Sequence, residues 1–242
     1  TGDSSITYGS INTVKHRKKI EDFPNNVLSE ISLRTFDANT SPTIINGIGN
    51  LLLSKRPFHT VRFYLPKVLQ WLDSFENKSF NTVILEGAFM GDYLTEAQRI
   101  GEKVVLRAHN LEHIIWERTT KNEGSIVKKW YLNLQSQRLK RFEESLAIKV
   151  DAIWSISPVD SDWFSALNTK TTFVPVSIAA RPLSSEIKEK KCFFLGALDW
   201  LPNLESVEWF LRDVWPLIHS TDPSIEFHLA GNKIPSHLMN LK

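Results

Sequence analysis

Four places in the sequence put small or reactive side chains directly after an apolar, strand-like run: Gly87-Ala88-Phe89, His109-Asn110, Ser157-Pro158, and Ala197 to Asn203. In an open parallel sheet, ligands lie beyond the carboxyl ends of the strands, so these are the positions at which chemistry would be sited. His109 stands out because an imidazole there can donate to or accept from a substrate oxygen near neutral pH. The structural alternative is a loop histidine satisfied by a neighbouring backbone group. Asn110 precedes a helix opening at Leu111 and reads as its N-cap, with Glu112 and His113 in the first turn. Ser157 with Asp160 reads likewise as the cap of a helix starting near Pro158.

Other chemistries find little support. No Walker A or GxGxxG pattern occurs, and Gly2 and Gly9 are a weak signal for a phosphate-approaching loop. No DxD-type motif directly follows a strand, and the seven histidines show no HxxH or HExxH spacing, so no metal or other cofactor is expected. The acidic pairs Glu143-Glu144 and Glu21-Asp22 read as solvated helix surface, as does the basic run Lys15 to Lys19. Cys192 is the single cysteine, which excludes an intrachain disulfide and favours a reducing, cytoplasmic compartment; at the start of a strand it reads as core rather than nucleophile. With 29 Lys+Arg against 27 Asp+Glu, a net charge of +2, there is no electrostatic reason to expect nucleic acid as a partner.

The elements that would hold these residues alternate between strand and helix, which is the α/β signature. Strands are predicted over 81–86 (NTVILE), 103–108 (KVVLRA), 151–156 (DAIWSI) and 171–176 (TTFVPV), with 27–33 weaker. Near-continuous apolar runs imply a parallel sheet covered by helices on both faces. Helical periods run over 61–76, 89–99, 111–123 and 125–149, the last with Trp130, Leu134, Leu139, Phe142 and Leu146 on one stripe. No apolar run approaches the roughly 18–20 residues needed to span a bilayer.

A polar stretch, 179–191, then reads as a linker between domains. Beyond it come a strand over 192–196, a helix from about Pro202 to His219 with Trp209, Phe210, Val214, Leu217 and Ile218 buried, and a strand over 225–230. A βαβ unit of about 50 residues buries too little to be stable alone, so the chain reads as one domain, 1–178, plus the start of a second, 192–242.

The block VVLRAHNLEHIIWERTTKNEGSIVKKWYLNLQSQRLKRFEESL at 104–146 resembles bacterial glycosyltransferases of family 4, in a sugar-transferase branch. The blocks FLGALDWLPNLESVEWFLRDVWPLIH at 194–219 and FHLAGNKIP at 227–235 resemble the start of that family's C-terminal domain, and DAIWSISPVDSDWF lies between in matching order. The resemblance implies a GT-B architecture: two Rossmann-like domains across a cleft, with a nucleotide-diphosphate-sugar donor held by the C-terminal one. A saccharide or lipid-linked acceptor would be held by the N-terminal one. It implies retaining, metal-independent transfer of a hexose in cell-surface polysaccharide synthesis, and it allows peripheral attachment at the inner face of the cytoplasmic membrane.

By the same resemblance His109 is the catalytic histidine. Gly196, Asp199, Trp200, Asn203 and Gly231 belong to the donor side, and Gly2, Asn110 and Gly87 to acceptor-side loops. The sequence also departs from the family. A helix and a strand expected between Ser10 and Ile11 are missing, no Arg or Lys clamp stands in GALDWLPN, and Asn232 replaces a frequent Gly-Arg pair. The E-x7-E motif and Gly-Ser-Gly loop would fall beyond Lys242, so the fragment alone is expected to be inactive. Two rival readings are a GT-B nucleotide-sugar epimerase and, for a complete chain, a non-catalytic sugar-binding module.

Overall fold

The computed structural model describes residues 6–13, 31–38, 44–177 and 190–239. Gly2, the basic run Lys15 to Lys19, the pair Glu21-Asp22 and most of the 179–191 stretch lie outside the described residues. The chain divides into two compact units, Thr1–Ile178 and Ala179–Lys242.

In the first unit, β1 (Ile6–Thr13) and β2 (Ile31–Ala38) form a parallel pair. Ser10 and Ile11 are consecutive residues of β1, paired with Thr35 and Phe36. Helices α1 (Ile44–Leu53), α2 (Phe58–Val61) and α3 (Pro66–Asp73) follow. The helical period over 61–76 is broken because the residue before Pro66 is driven to extended backbone: Leu65 sits at φ −116°, ψ 127°. The rest is a four-stranded parallel sheet in the order β3 (Phe80–Glu86), β4 (Gly101–Ala108), β5 (Ala152–Ser155), β6 (Thr171–Phe173). A 3-10 turn (Ala88–Tyr93) and α4 (Leu94–Ile100) connect β3 to β4; α5 (Glu112–Asn122) and α6 (Ile126–Lys149) connect β4 to β5; α7 (Pro158–Ser165) connects β5 to β6. The unit is therefore mixed α/β with a four-stranded parallel sheet, an arrangement compatible with a Rossmann-like domain.

Strand β4 lies inside the sheet, and Val104, Leu106 and Ala108 are buried with Leu85, Ile153, Leu146, Ala147 and Phe164 in one core cluster. Strand β3 is at the edge, which leaves Ile84 exposed despite the apolar run. The buried stripe of α6 is Gln135, Ser136, Leu139, Glu143, Leu146 and Ala147, so half of it is polar. Each polar member has a partner: Phe58 N–H donates to Gln135 Oε1 (2.9 Å), Gln135 Nε2 to Asn50 Oδ1 (3.1 Å), and Ser136 Oγ to the His113 carbonyl (3.1 Å). The expectation that Trp130 joins this stripe is corrected, since its side chain is exposed. So is the expectation that Glu143 is solvated: it is buried.

In the second unit, β7 (Lys191–Leu195) and β8 (Glu226–Ala230) pair in parallel around α8 (Leu201–Trp209), a π segment (Phe210–Val214), α9 (Trp215–Thr221) and the short α10 (Ser236–Met239). Pro202 lies in the first turn of α8, where its missing N–H costs nothing. The helix expected to run unbroken to His219 is interrupted just before Pro216, whose ring cannot share a continuous α-helical ladder. Its buried residue is Val207, packed with Leu198 and Leu238; Trp209 and Leu217, expected inside, are exposed.

Candidate functional site

Strands β3 and β4 are in register with Glu86 opposite Arg107, which puts both side chains on one face of the sheet at its carboxyl edge. His109 follows two residues after Arg107, on the same side. The three converge: Glu86 Oε2 lies 2.7 Å from His109 Nε2, and Glu86 Oε1 lies 3.3 Å from an Arg107 guanidinium nitrogen. With Nε2 committed to Glu86, the imidazole keeps Nδ1 for another partner. His109 and Glu86 are both solvent-accessible, so a ligand can reach them.

Gly87 turns the chain away from β3. Its φ of +86° is the left-handed backbone that glycine alone adopts cheaply, and its N–H donates to the Arg107 carbonyl (2.9 Å), locking the turn to β4.

The loop carrying His109 is held by two carboxylates, the buried Glu143 and the partly buried Asp160. Residue Leu111, not Asn110, occupies the N-cap position of α5, and it has no side-chain cap. The cap comes from across the fold: Glu143 Oε1 accepts from Glu112 N–H (2.9 Å), and Glu143 Oε2 accepts from His113 N–H (3.0 Å) and from His113 Nδ1 (2.7 Å). Asp160 accepts from the Leu111 N–H, and burial pushes its carboxyl up. Three successive N–H groups at the start of α5 are thus taken by protein carboxylates, leaving this helix end no role as an anion site. Asn110, expected as the cap, instead hydrogen-bonds the Glu112 carboxyl. Ser157 caps α7 as expected, accepting from Asp160 N–H (3.4 Å).

Glu112 faces His59 across 3.7 Å, inside a ring of Phe63, Phe89 and Trp116. Burial and the neighbouring Glu143 carboxylate push Glu112 up to about 7, while burial and the Arg62 guanidinium push His59 down to about 3. Below neutrality the contact is therefore between two mostly neutral groups rather than an ion pair. The folded state holds a Glu112 proton that the unfolded chain releases, so this residue removes stability as pH rises from about 4.5 to about 7. His59 acts in the other window: stability falls as pH drops from 6.5 towards about 3. We expect Glu112→Gln to stabilise the protein relative to the parent at about pH 8 by on the order of 2–3 kcal/mol more than at about pH 5, measured by urea unfolding. An equal difference at both pH values would contradict this assignment.

In the second unit, Gly196 and Gly231 end the two paired strands. Gly196 N–H donates to the Ala230 carbonyl (3.1 Å). A Cβ on Gly231, whose φ is +148°, would lie 1.7 Å from the Gly196 carbonyl oxygen, so no side chain fits there. Leu198 N–H donates to the Asn232 carbonyl (2.9 Å) and Asn203 Nδ2 to the Ala197 carbonyl (3.0 Å), which gives Asn203 a loop-bracing role. Trp200 is the exposed N-cap residue of α8. Asp199 pairs with Lys233 (2.7 Å), a basic residue on a left-handed backbone (φ +53°).

Sequence reading missed Glu86, Glu143 and Lys233. Glu86 had a signal, a charged residue closing the apolar run NTVILE. Among the described residues no group of three or more His, Cys, Asp or Glu side chains converges as a metal site, and no helix is long and apolar enough to cross a membrane.

No family model matches the chain. A Klebsiella pneumoniae protein described as "Uncharacterized 44.6 kDa protein in cps region" is 24% identical over 156 residues, 64% of this chain and 40% of that protein. The chain thus spans about two-fifths of the length of this relative.

Proposed function

We propose that the chain is part of a retaining, metal-independent glycosyltransferase of GT-B architecture, resembling family 4, that moves a hexose from a nucleotide-diphosphate sugar to a saccharide or lipid-linked acceptor. The observation that carries this reading is the His109–Glu86 pair at the carboxyl edge of a parallel sheet, with one imidazole nitrogen held and the other left for a substrate oxygen. The distant relative supports the context, since a cps region is a capsular polysaccharide locus and such loci need sugar-transferring enzymes.

On this reading Glu86 and Arg107 orient His109 toward the reacting centre, and Gly87 and Asn110 shape the acceptor side of the same edge. In the second unit, Gly196 and Gly231 let the ends of the two paired strands close on each other, and Lys233, beside Asp199, supplies a cation for the donor diphosphate. Lys233 fills the part for which no basic residue was found in GALDWLPN.

The test uses the full-length protein, a panel of nucleotide-diphosphate sugars, a saccharide acceptor and EDTA. Release of nucleoside diphosphate with a glycosylated product supports the proposal. Donor conversion to a different sugar without acceptor would identify an epimerase, binding without turnover a sugar-binding module, and transfer that needs added divalent metal would reject the metal-independent assignment.

A further inference from the structure

Glu112 takes no part in the proposed transfer, yet its carboxyl is buried, at 5% exposure, in the first turn of α5 just beyond His109. A carboxyl in a dry interior is either paired or keeps its proton. From α2, His59 Nε2 stands 3.7 Å from Glu112 Oε2, too far for a hydrogen bond, with the Arg62 guanidinium behind it. From α6, the Glu143 carboxylate accepts from the Glu112 N–H and opposes a second negative charge beside it. From α7, Asp160 accepts from the Leu111 N–H and interacts electrostatically with Glu143, Arg118 and His113. From the loop itself, the Asn110 side chain hydrogen-bonds the Glu112 carboxyl.

His59 has its tautomer fixed. Arg62 Nη2 lies 2.9 Å from His59 Nδ1, and a guanidinium only donates, so Nδ1 accepts and Nε2 carries the hydrogen. That Nε2 is buried and, among the described residues, has no hydrogen-bond partner. An unmet donor facing a carboxyl just out of reach gives the pair a second arrangement. With Glu112 protonated the gap stays open. With Glu112 ionised, the carboxylate is drawn to the Nε2–H and pushed away from Glu143. Burial and Glu143 together bring this change to about pH 7.

We propose that Glu112 is a positioning residue for His109: protonated, it holds Asn110 and the first turn of α5 in place, and ionised, it closes onto His59 and displaces the loop that bears His109. The effect on the reaction rests on His109 belonging to the reacting centre; the movement of the loop does not.

Two measurements on the full-length protein test this. The first is hydrogen–deuterium exchange of residues 107–116 in the parent and in Glu112→Gln, at about pH 6 and about pH 8.5, corrected for intrinsic exchange. Protection in the parent is expected to fall about tenfold between these values and to hold in the variant, because glutamine cannot ionise. Equal behaviour of parent and variant would overturn the proposal, whether or not the protein transfers sugar. The second is the pH profile of kcat. Above about pH 7 the parent is expected to lose about tenfold per pH unit, and Glu112→Gln to lack this falling limb. His59→Phe, which removes the waiting Nε2–H, should move the midpoint up by about one unit. A limb that persists in Glu112→Gln overturns the coupling to His109, and an unmoved midpoint in His59→Phe overturns the part given to His59. Loop exchange that changes as expected in a protein that transfers no sugar would overturn the transferase reading and leave the Glu112 movement standing.

Discussion

Replacing Glu143 with alanine is expected to destabilise the protein by about 3–5 kcal/mol, the cost of stripping one partner from a buried charged network. The residue is buried and accepts from three donors, the Glu112 and His113 backbone N–H groups and His113 Nδ1. Alanine leaves all three in a dry interior with nothing to accept them. For a unit of this size that corresponds to a fall of about 10 °C in the unfolding temperature. Glu143→Gln keeps an acceptor oxygen and should lose markedly less. A Glu143→Ala protein melting within a degree or two of the parent would contradict the burial and bonding described for this carboxylate. The consequence reaches the candidate site, because Glu143 fixes the first turn of α5 and so the loop on which His109 stands.

The second large effect concerns Glu86. If it holds the imidazole of His109, then Glu86→Ala should reduce kcat for transfer by about 10- to 100-fold, while the donor KM changes little. Glu86→Gln, which retains an oxygen at hydrogen-bonding distance, should recover a large part of the rate. A purely structural role would move stability and both kinetic constants together, with no rescue by glutamine. Parent-like kcat in Glu86→Ala would remove this residue from the site.

How far the sequence discloses these features depends on the range of the interaction involved. Local chemistry was readable. Pro158 after Ser157 announces a capped helix, Pro202 marks the start of α8, and the apolar run VVLRA reads as a strand of a parallel sheet covered by helices. The polar seam of α6 was not readable. Gln135, Ser136 and Glu143 lie on the buried stripe, and an apolar-periodicity argument rejects such residues until their partners on α1, α2 and α5 are known. Trp130 misled for the converse reason, having the right type and spacing for a core that does not extend to that turn. Trp209 and Leu217 failed in the same way in the second unit. The pairing of Glu86 with His109 spans 23 positions and exists only because β3 and β4 adopt one particular parallel register. His109 itself could be singled out by its place after a strand; the carboxylate that orients it needed the fold.

We propose that His109 at the carboxyl edge of β4 belongs to the reacting centre of a sugar transferase. The most direct test of this is the rate of nucleoside diphosphate release and product formation by full-length His109→Ala protein in EDTA, with donor binding measured alongside. Transfer is expected to fall by about 10²- to 10⁴-fold with donor affinity largely kept. Transfer at the parent rate by that variant would contradict it.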